Sequence, residues 1–375
     1  MLVPPARRDA VRRRLLGWYD AGHRRLPWRF PQRAADPYRV WLAEVMLQQT
    51  RVERVEGYYR RFLSRWPGLR ALASAREADV LAVWSGLGYY ARARHLLAAA
   101  RMALARHGGL PRSPEALRAL PGFGRYTAGA VASMAFAVPA PAVDGNAARV
   151  LSRLFLVTGD PAARTTGERL WALAGALVPG AEGGRGPRRP GDFNQALMEL
   201  GATVCRVPAP ACGRCPLASV CAARRSGRER EVPRPRRRPV RRRLAVACAV
   251  LERRGRLLLA RRGAPGLFAG LWAPPWAEVP PGASPRAALA AAARRAGLRL
   301  RVGQRLAAAE ATLTHRDLSL EAYRCEGPGP RTGPWRWVAW SGLPRLGLAT
   351  ATRALLDAVR AGKGTGIRRQ VRQGP

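Results

Sequence analysis

From residue 9 to about 223, apolar positions recur at helical spacing, most clearly through 41–47, 78–87, 127–137 and 193–200, with no alternating strand pattern between them. Two dipeptides mark helix starts. Asp36-Pro37 and Ser113-Pro114 each place a side-chain oxygen at the N-cap and a proline at the first helical position. The pattern stops at 224–243, where eleven arginines and three prolines leave almost nothing to bury. That stretch reads as a linker, extended by its prolines and by self-repulsion. Beyond it the texture turns to strand. Leu244–Leu251 and Leu257–Arg261 flank the turn Arg253-Arg254-Gly255, and strand candidates at 306–324 and 335–340 lie between helical stretches at 284–296 and 349–360. The expected organisation is a mostly α-helical domain over 1–223, the linker 224–243, an α+β domain over 244–360, and a Gly/Arg-rich, disordered tail over 361–375.

Charge narrows the class of partner. Lys and Arg number 66 against 24 acids, a formal net charge of +42. Such a field suits a polyanion, because each phosphate neutralised releases counterions. A bias towards arginine accounts for the choice of base, since Lys363 is the only lysine, but not for the scarcity of acids. Nucleic acid is therefore the expected partner, and a membrane is not. The longest uncharged apolar run, Ala128–Val143, spans 16 residues and contains Pro139 and Pro141, which suits a buried helix and not a bilayer span. The opening residues lack the apolar stretch of a signal peptide. Cys205, Cys212, Cys215 and Cys221 crowd together while Cys248 and Cys325 lie far off, unlike a disulfide framework. A cytoplasmic, intracellular protein working on DNA as a monomer is the expectation.

Three patterns carry chemistry. In Cys205-x6-Cys212-x2-Cys215-x5-Cys221, four thiolates within 17 residues can surround one metal centre. Zinc modules usually present two close pairs, and here only the middle pair is close. Leu120-Pro121-Gly122-Phe123-Gly124 sits between two helical segments, where Gly122 and Gly124 let the backbone turn and offer N–H groups to a phosphate. Taken alone, such a turn is also a common helix connector. Asp144, in Val143-Asp144-Gly145-Asn146, suits a helix cap as well as chemistry. Glu44 is a lone carboxylate in Trp41-Leu42-Ala43-Glu44-Val45-Met46-Leu47, with Val40, Leu47 and Gln48 around it instead of a charged face. Desolvation there raises a carboxyl pKa towards that of a useful general acid.

Together these strings resemble the helix-hairpin-helix, endonuclease-III-like superfamily of DNA glycosylases, and PYRVWLAEVMLQQTRV resembles its MutY-type adenine glycosylases. The resemblance implies a [4Fe–4S] cluster on the four cysteines, Glu44 protonating the adenine ring, and Asp144 stabilising the sugar cation as nucleophile or electrostatic partner. It places Tyr126 and Asn146 in the same pocket, with Tyr126 bonded to Asp144 or to the cation. Arg24, Trp28, Arg29 and Gln195 match adenine-pocket positions. Gln48, Gln49 and Thr50 match residues that fill the space left by the flipped base, and Tyr89 matches the wedge beside the partner base. Bifunctional members use a Schiff-base lysine where this chain has Tyr126, which implies hydrolysis without programmed strand cleavage.

Gly266-Leu267-Phe268-Ala269-Gly270-Leu271-Trp272 resembles the opening of the Nudix-like domain that MutY-type enzymes carry. Arg294-Arg295-Ala296-Gly297-Leu298 stands where a Nudix hydrolase needs magnesium-binding glutamates, so a recognition module is expected. Leu313-Thr314-His315 occupies the place of the turn that inspects 8-oxoguanine, with a hydroxyl at Thr314 and a donor at His315. The implied activity is monofunctional removal of adenine mispaired with 8-oxoguanine or guanine in double-stranded DNA. A bifunctional pyrimidine glycosylase is opposed by Tyr126, Glu44 and the second domain. A DNA-binding protein without catalysis is opposed by Glu44 and Asp144, and a nucleotide pyrophosphatase by the missing acids.

Overall fold

A computed structural model describes residues 3–30, 35–180, 189–234, 240–263, 265–313, 315–330, 332–362 and 371–372. The chain falls into two compact units. One comprises Met1–Gln48, Trp66–Ala73 and Ala98–Arg238, the other Gln49–Arg65, Ser74–Leu97 and Pro239–Pro375. Two stretches of helical sequence thus group with the strands, because the partners that cover them lie there. A Cβ on Gly347 would stand 3.2 Å from Leu81, and Ser85 and Tyr90 both donate to the carbonyl of Leu348.

The helices of the N-terminal half are α1 (Pro5–Gly22), α2 (Pro37–Leu47), α3 (Val52–Arg65), α4 (Leu69–Ala73), α5 (Glu77–Trp84), α6 (Ala91–His107), α7 (Pro114–Arg118), α8 (Arg125–Phe136), α9 (Gly145–Phe155), α10 (Arg164–Leu177), α11 (Pro190–Thr203) and α12 (Ala222–Arg225). Both anticipated N-caps form: Asp36 accepts from Tyr38 N–H and Arg39 N–H, and Ser113 from Ala116 N–H. In the first unit α1, α9, α10 and α11 share a core that includes Leu15, Leu151, Leu173, Phe193 and Leu197. Helix α8 is lined by small residues so that residues 137–144 can cross it closely. A Cβ on Gly129 would lie 1.9 Å from the carbonyl oxygen of Pro141. The buried Asn194 ties that crossing down, donating to Ser133 Oγ and Ala140 O and accepting from Ala142 N–H.

The second unit is built on a mixed sheet. Its elements are β1 (Arg242–Arg253), β2 (Arg256–Arg261), β3 (Trp272–Ala273), β4 (Trp276–Val279), α13 (Pro285–Arg295), β5 (Arg301–Thr312), β6 (Arg316–Glu326), β7 (Trp335–Ala339), α14 (Thr350–Arg360) and β8 (Val371–Arg372). The strand order is β3-β2-β1-β6-β5-β8, with β4 on β1 and β7 on β2. β1 and β6 run parallel from Arg242↔Arg316 to Leu251↔Cys325. Alternation along β1 sends Val246, Cys248 and Val250 to the α14 face with Leu355 and Leu356, and Ala247, Ala249 and Leu251 to the α13 face with Leu289. The β1–β2 turn has left-handed φ at both Arg254 (48°) and Gly255 (69°), which matches the strand twist of a two-residue hairpin. Within the tail, β8 pairs in parallel with β5 through Ala311↔Val371 and Thr312↔Arg372. Among the described residues no helix is long and apolar enough to cross a membrane.

Candidate active site

Helix α2 carries Glu44 on a face that is almost entirely buried; Glu44 itself is 7% exposed. Tyr126, in the first turn of α8, donates its hydroxyl to Glu44 Oε2 at 2.5 Å and also lies 3.2 Å from Met198 Sδ of α11. The resemblance implied a bond to Asp144 or to the sugar cation; here α2 and α8 pack against each other and set the phenol on the glutamate. Burial, chiefly, and the charge of Asp144 push the Glu44 pKa up to about 7, against the lowering effects of the Tyr126 bond and of Arg29. Burial and both carboxylates in turn hold the Tyr126 phenol well above its ordinary value. It stays a donor.

Asp144 caps α9. Its Oδ1 accepts from Ala147 N–H at 2.7 Å, and its Oδ2 from Asn146 Nδ2 at 3.0 Å. Burial raises its pKa, while those bonds and the charge of Arg149 oppose the rise. Asn146 is held in turn by Arg149 Nη2, 2.8 Å from its Oδ1, and Arg149 also donates to the carbonyls of Cys205 and Gly201. A Cβ on Gly201 would sit 2.6 Å from Asn146 Cβ, so α11 and α9 meet here at backbone distance. These contacts connect the cysteine loop to the aspartate. Spacing alone revealed none of them.

The hairpin between α7 and α8 is a sharp turn with Gly122 at φ 76° and Gly124 as the α8 N-cap. Phe123 stacks on Trp41 of α2, ring centroids 5.2 Å apart, which ties the hairpin to the helix bearing Glu44. Gln48 donates to Thr127 Oγ1 at 3.2 Å, and Trp28 is buried. Arg24 and Arg29 converge on Glu199 of α11, which the sequence reading missed. Arg24 donates to both of its oxygens at 2.7 Å and Arg29 to Oε2 at 2.7 Å. Burial alone would raise Glu199, but the two guanidinium groups outweigh it and hold its pKa at about 2. Its place on a mostly buried helix, in a chain so short of acids, was the available signal. Gln195 is half-buried on α11.

Other expected residues lie in the second unit. Gln49 has φ 54°, and Thr50 accepts from Arg92 Nη2 at 3.2 Å. Tyr89 has φ 47°, with the Arg92 guanidinium 5.4 Å from its ring. Leu313 and His315 form the β5–β6 hairpin, closed by Leu313 N–H to Arg316 O, and Thr314 lies outside the described residues.

All four clustered cysteines are free and half-buried. Burial and then their mutual repulsion raise the Cys215 pKa to about 11, and burial likewise raises Cys212 and Cys221. Arg153, 2% exposed, donates to Cys205 Sγ at 3.2 Å and to the carbonyls of Cys205, Arg206 and Val232. Among the described residues no three His, Cys, Asp or Glu side chains converge tightly enough to hold a single ion.

Residues 42–175 match the profile of the HhH-GPD superfamily of base excision DNA repair proteins, and 246–358 that of the NUDIX domain. The chain is 49% identical over 224 residues to a human adenine DNA glycosylase, covering 57% of this chain and 39% of that protein. It is 40% identical over 299 residues to one from Arabidopsis thaliana, covering 70% of this chain and 46% of that protein. It therefore spans less than half the length of these two relatives. A solved thermostable thymine-DNA glycosylase superposes with a TM-score of 0.51 at 29% identity, over 59% of this chain and 98% of that one. Residues 42–175 are thus similar to the HhH-GPD superfamily of base excision DNA repair proteins and residues 246–358 to the NUDIX domain, and over part of their length the chain is a homologue of adenine DNA glycosylases.

Proposed function

We propose that the chain hydrolyses the N-glycosidic bond of adenine mispaired with 8-oxoguanine or guanine in double-stranded DNA, without an associated strand-cleaving step. The observation that carries this reading is a buried glutamate with a pKa of about 7, beside a second carboxylate, Asp144, that accepts from Ala147 N–H and Asn146 Nδ2. Two neighbouring carboxylates with separated roles are what depurination needs. Glu44 delivers a proton to the extruded adenine, drawing electrons from the glycosidic bond. Asp144 stabilises the oxocarbenium-like sugar until water adds. Tyr126 fixes the glutamate oxygen it touches, so that the proton leaves from the other. The position a Schiff-base lysine would need holds this same tyrosine, which supports a purely hydrolytic reaction.

The cysteine loop fits a [4Fe–4S] cluster held by Cys205, Cys212, Cys215 and Cys221. Its four thiols are free, half-buried and gathered within one 17-residue loop. Bound there, the cluster supplies a rigid, charge-neutralising knot, and Arg149 passes that rigidity to Asn146 and Asp144. The deciding experiment uses labelled duplexes with adenine opposite 8-oxoguanine or guanine and a thymine-glycol control, each resolved with and without alkali. Breaks at adenine that appear only after alkali are expected. Cleavage of the thymine-glycol strand without alkali would replace this reading with a bifunctional pyrimidine glycosylase.

A further inference from the structure

Residues 85–90 form a loop held in a conformation that a free chain avoids. Tyr89 has φ 47° and follows two glycines of positive φ, Gly86 at 104° and Gly88 at 76°. A non-glycine residue persists there only when its surroundings over-determine it. They do. Tyr58 donates to Ser85 O at 2.9 Å, Trp84 Nε1 to Gly88 O at 3.1 Å, and Arg92 to the carbonyls of Leu87 and Gly88. The remaining anchor comes from far along the chain. Ser85 Oγ and Tyr90 OH both donate to the carbonyl of Leu348, at 2.7 and 3.0 Å, and Arg353 Nη2 reaches Ser85 Oγ at 3.4 Å and Leu346 O at 3.3 Å.

Leu348 is fully buried in the core layer that also holds Ala309, Ala311, Leu318 and Leu355, and Leu313 of the β5–β6 hairpin packs against that layer. Tyr89 and the hairpin bearing His315 are thereby mounted on one body. Gln49 and Thr50 belong to the same unit, whereas Glu44, Tyr126 and Asp144 belong to the other. We propose that Ser85 and Tyr90, donating to the Leu348 carbonyl, and Arg353, reaching Ser85 Oγ and Leu346 O, are positioning residues that lock the Tyr89 loop to Leu313, just after β5, and His315, just before β6, so that inspection of the base opposite adenine is made by a single rigid reader. This rests on the glycosylase reading above and adds to it the device that sets mispair preference.

The test is the double variant S85A/Y90F, which removes both donors to Leu348 while keeping the aromatic ring, with Ser85→Thr as the conservative control. Adenine release is measured under single-turnover conditions opposite 8-oxoguanine and opposite guanine. Unstacking is read separately, from 2-aminopurine placed beside the base opposite adenine. With two hydrogen bonds lost, the preference for 8-oxoguanine over guanine is expected to fall about tenfold. The fluorescence rise on binding should be lost, Ser85→Thr should retain both, and adding Tyr89→Ala to the double variant should cost little more. An unchanged preference, or an effect of Tyr89→Ala that simply adds to that of the double variant, would overturn the proposal. If the unsubstituted protein released no adenine, the proposed activity would fail, and the fluorescence arm alone would decide the loop's anchoring.

Discussion

At Glu44, chemistry and stability pull in opposite directions. A carboxyl with a pKa of about 7 is half-protonated near neutral pH, so on the proposed mechanism base release should fall as pH rises through 7. Replacement by Gln keeps an acceptor for the Tyr126 hydroxyl and removes the transferable proton. Glu44→Gln should lower single-turnover adenine release by about 10²–10⁴-fold while leaving duplex binding by gel shift intact. Stability should move the other way. The pKa rises from 4.5 in the unfolded chain to about 7 in the fold, so below 4.5 both states hold the proton and the site costs nothing. Between those values the unfolded chain releases its proton first, and native stability drains away as pH rises, up to roughly 3 kcal/mol by pH 8. Urea denaturation should therefore find Glu44→Gln more stable than the parent at pH 8 and nearly indistinguishable at pH 4.5. Equal stability of the two proteins at pH 8 would mean that burial does not set this pKa.

Among elements, α8, α9 and α11 decide where Asp144 stands, and they do so through residues with little or no side chain. Gly129→Ala would drive a methyl into the Pro141 carbonyl on a crossing that Asn194 already pins from its other side. A loss of about 3 kcal/mol in chemical denaturation is expected, against a near-neutral Gly145→Ala on the open side of α9. The cysteine loop acts on the same element. Removing iron by chelation should loosen Arg149 and lower both duplex affinity and the melting temperature, and a chelated protein unchanged in both would exclude a structural role for the cluster. Much of this layer was legible in advance. Asp36-Pro37, Ser113-Pro114 and Arg253-Arg254-Gly255 carry their own local geometry. Arg149 and Arg153 were not legible, because an arginine donating to distant carbonyls leaves no periodic trace, and neither does the pairing of Glu199 with Arg24 across 175 residues. Strands β3 and β4 are too short to show alternation. The grouping of 49–65 and 74–97 with the sheet was hidden because helical periodicity shows that a face is buried, not what buries it.

For the whole molecule the governing quantity is charge. Many arginines here are already committed to structure: Arg12 donates to the carbonyls of Leu177 and Val178, Arg153 to the cysteine loop, and Arg24 and Arg29 to Glu199. Yet with 24 acids against 66 bases, internal pairing cannot consume the excess of +42. Exposed arginines at 224, 225, 241, 242 and 243 sit on the cysteine loop and at the entry to β1, where nothing acidic faces them among the described ion pairs. Duplex binding should therefore be dominated by counterion release and fall by about 10³-fold or more between 50 and 200 mM salt. The preference between mispairs, set by contacts with bases, should change far less over that range. Titrating fluorescent duplexes with and without an adenine mispair at several salt concentrations separates the two effects. Parallel lines of log affinity against log salt would assign the shared slope to phosphate contacts and the vertical gap to base reading. Lines that converge at high salt would show instead that mispair recognition is itself electrostatic, and that the recognition loops act mainly by bringing arginine to phosphate.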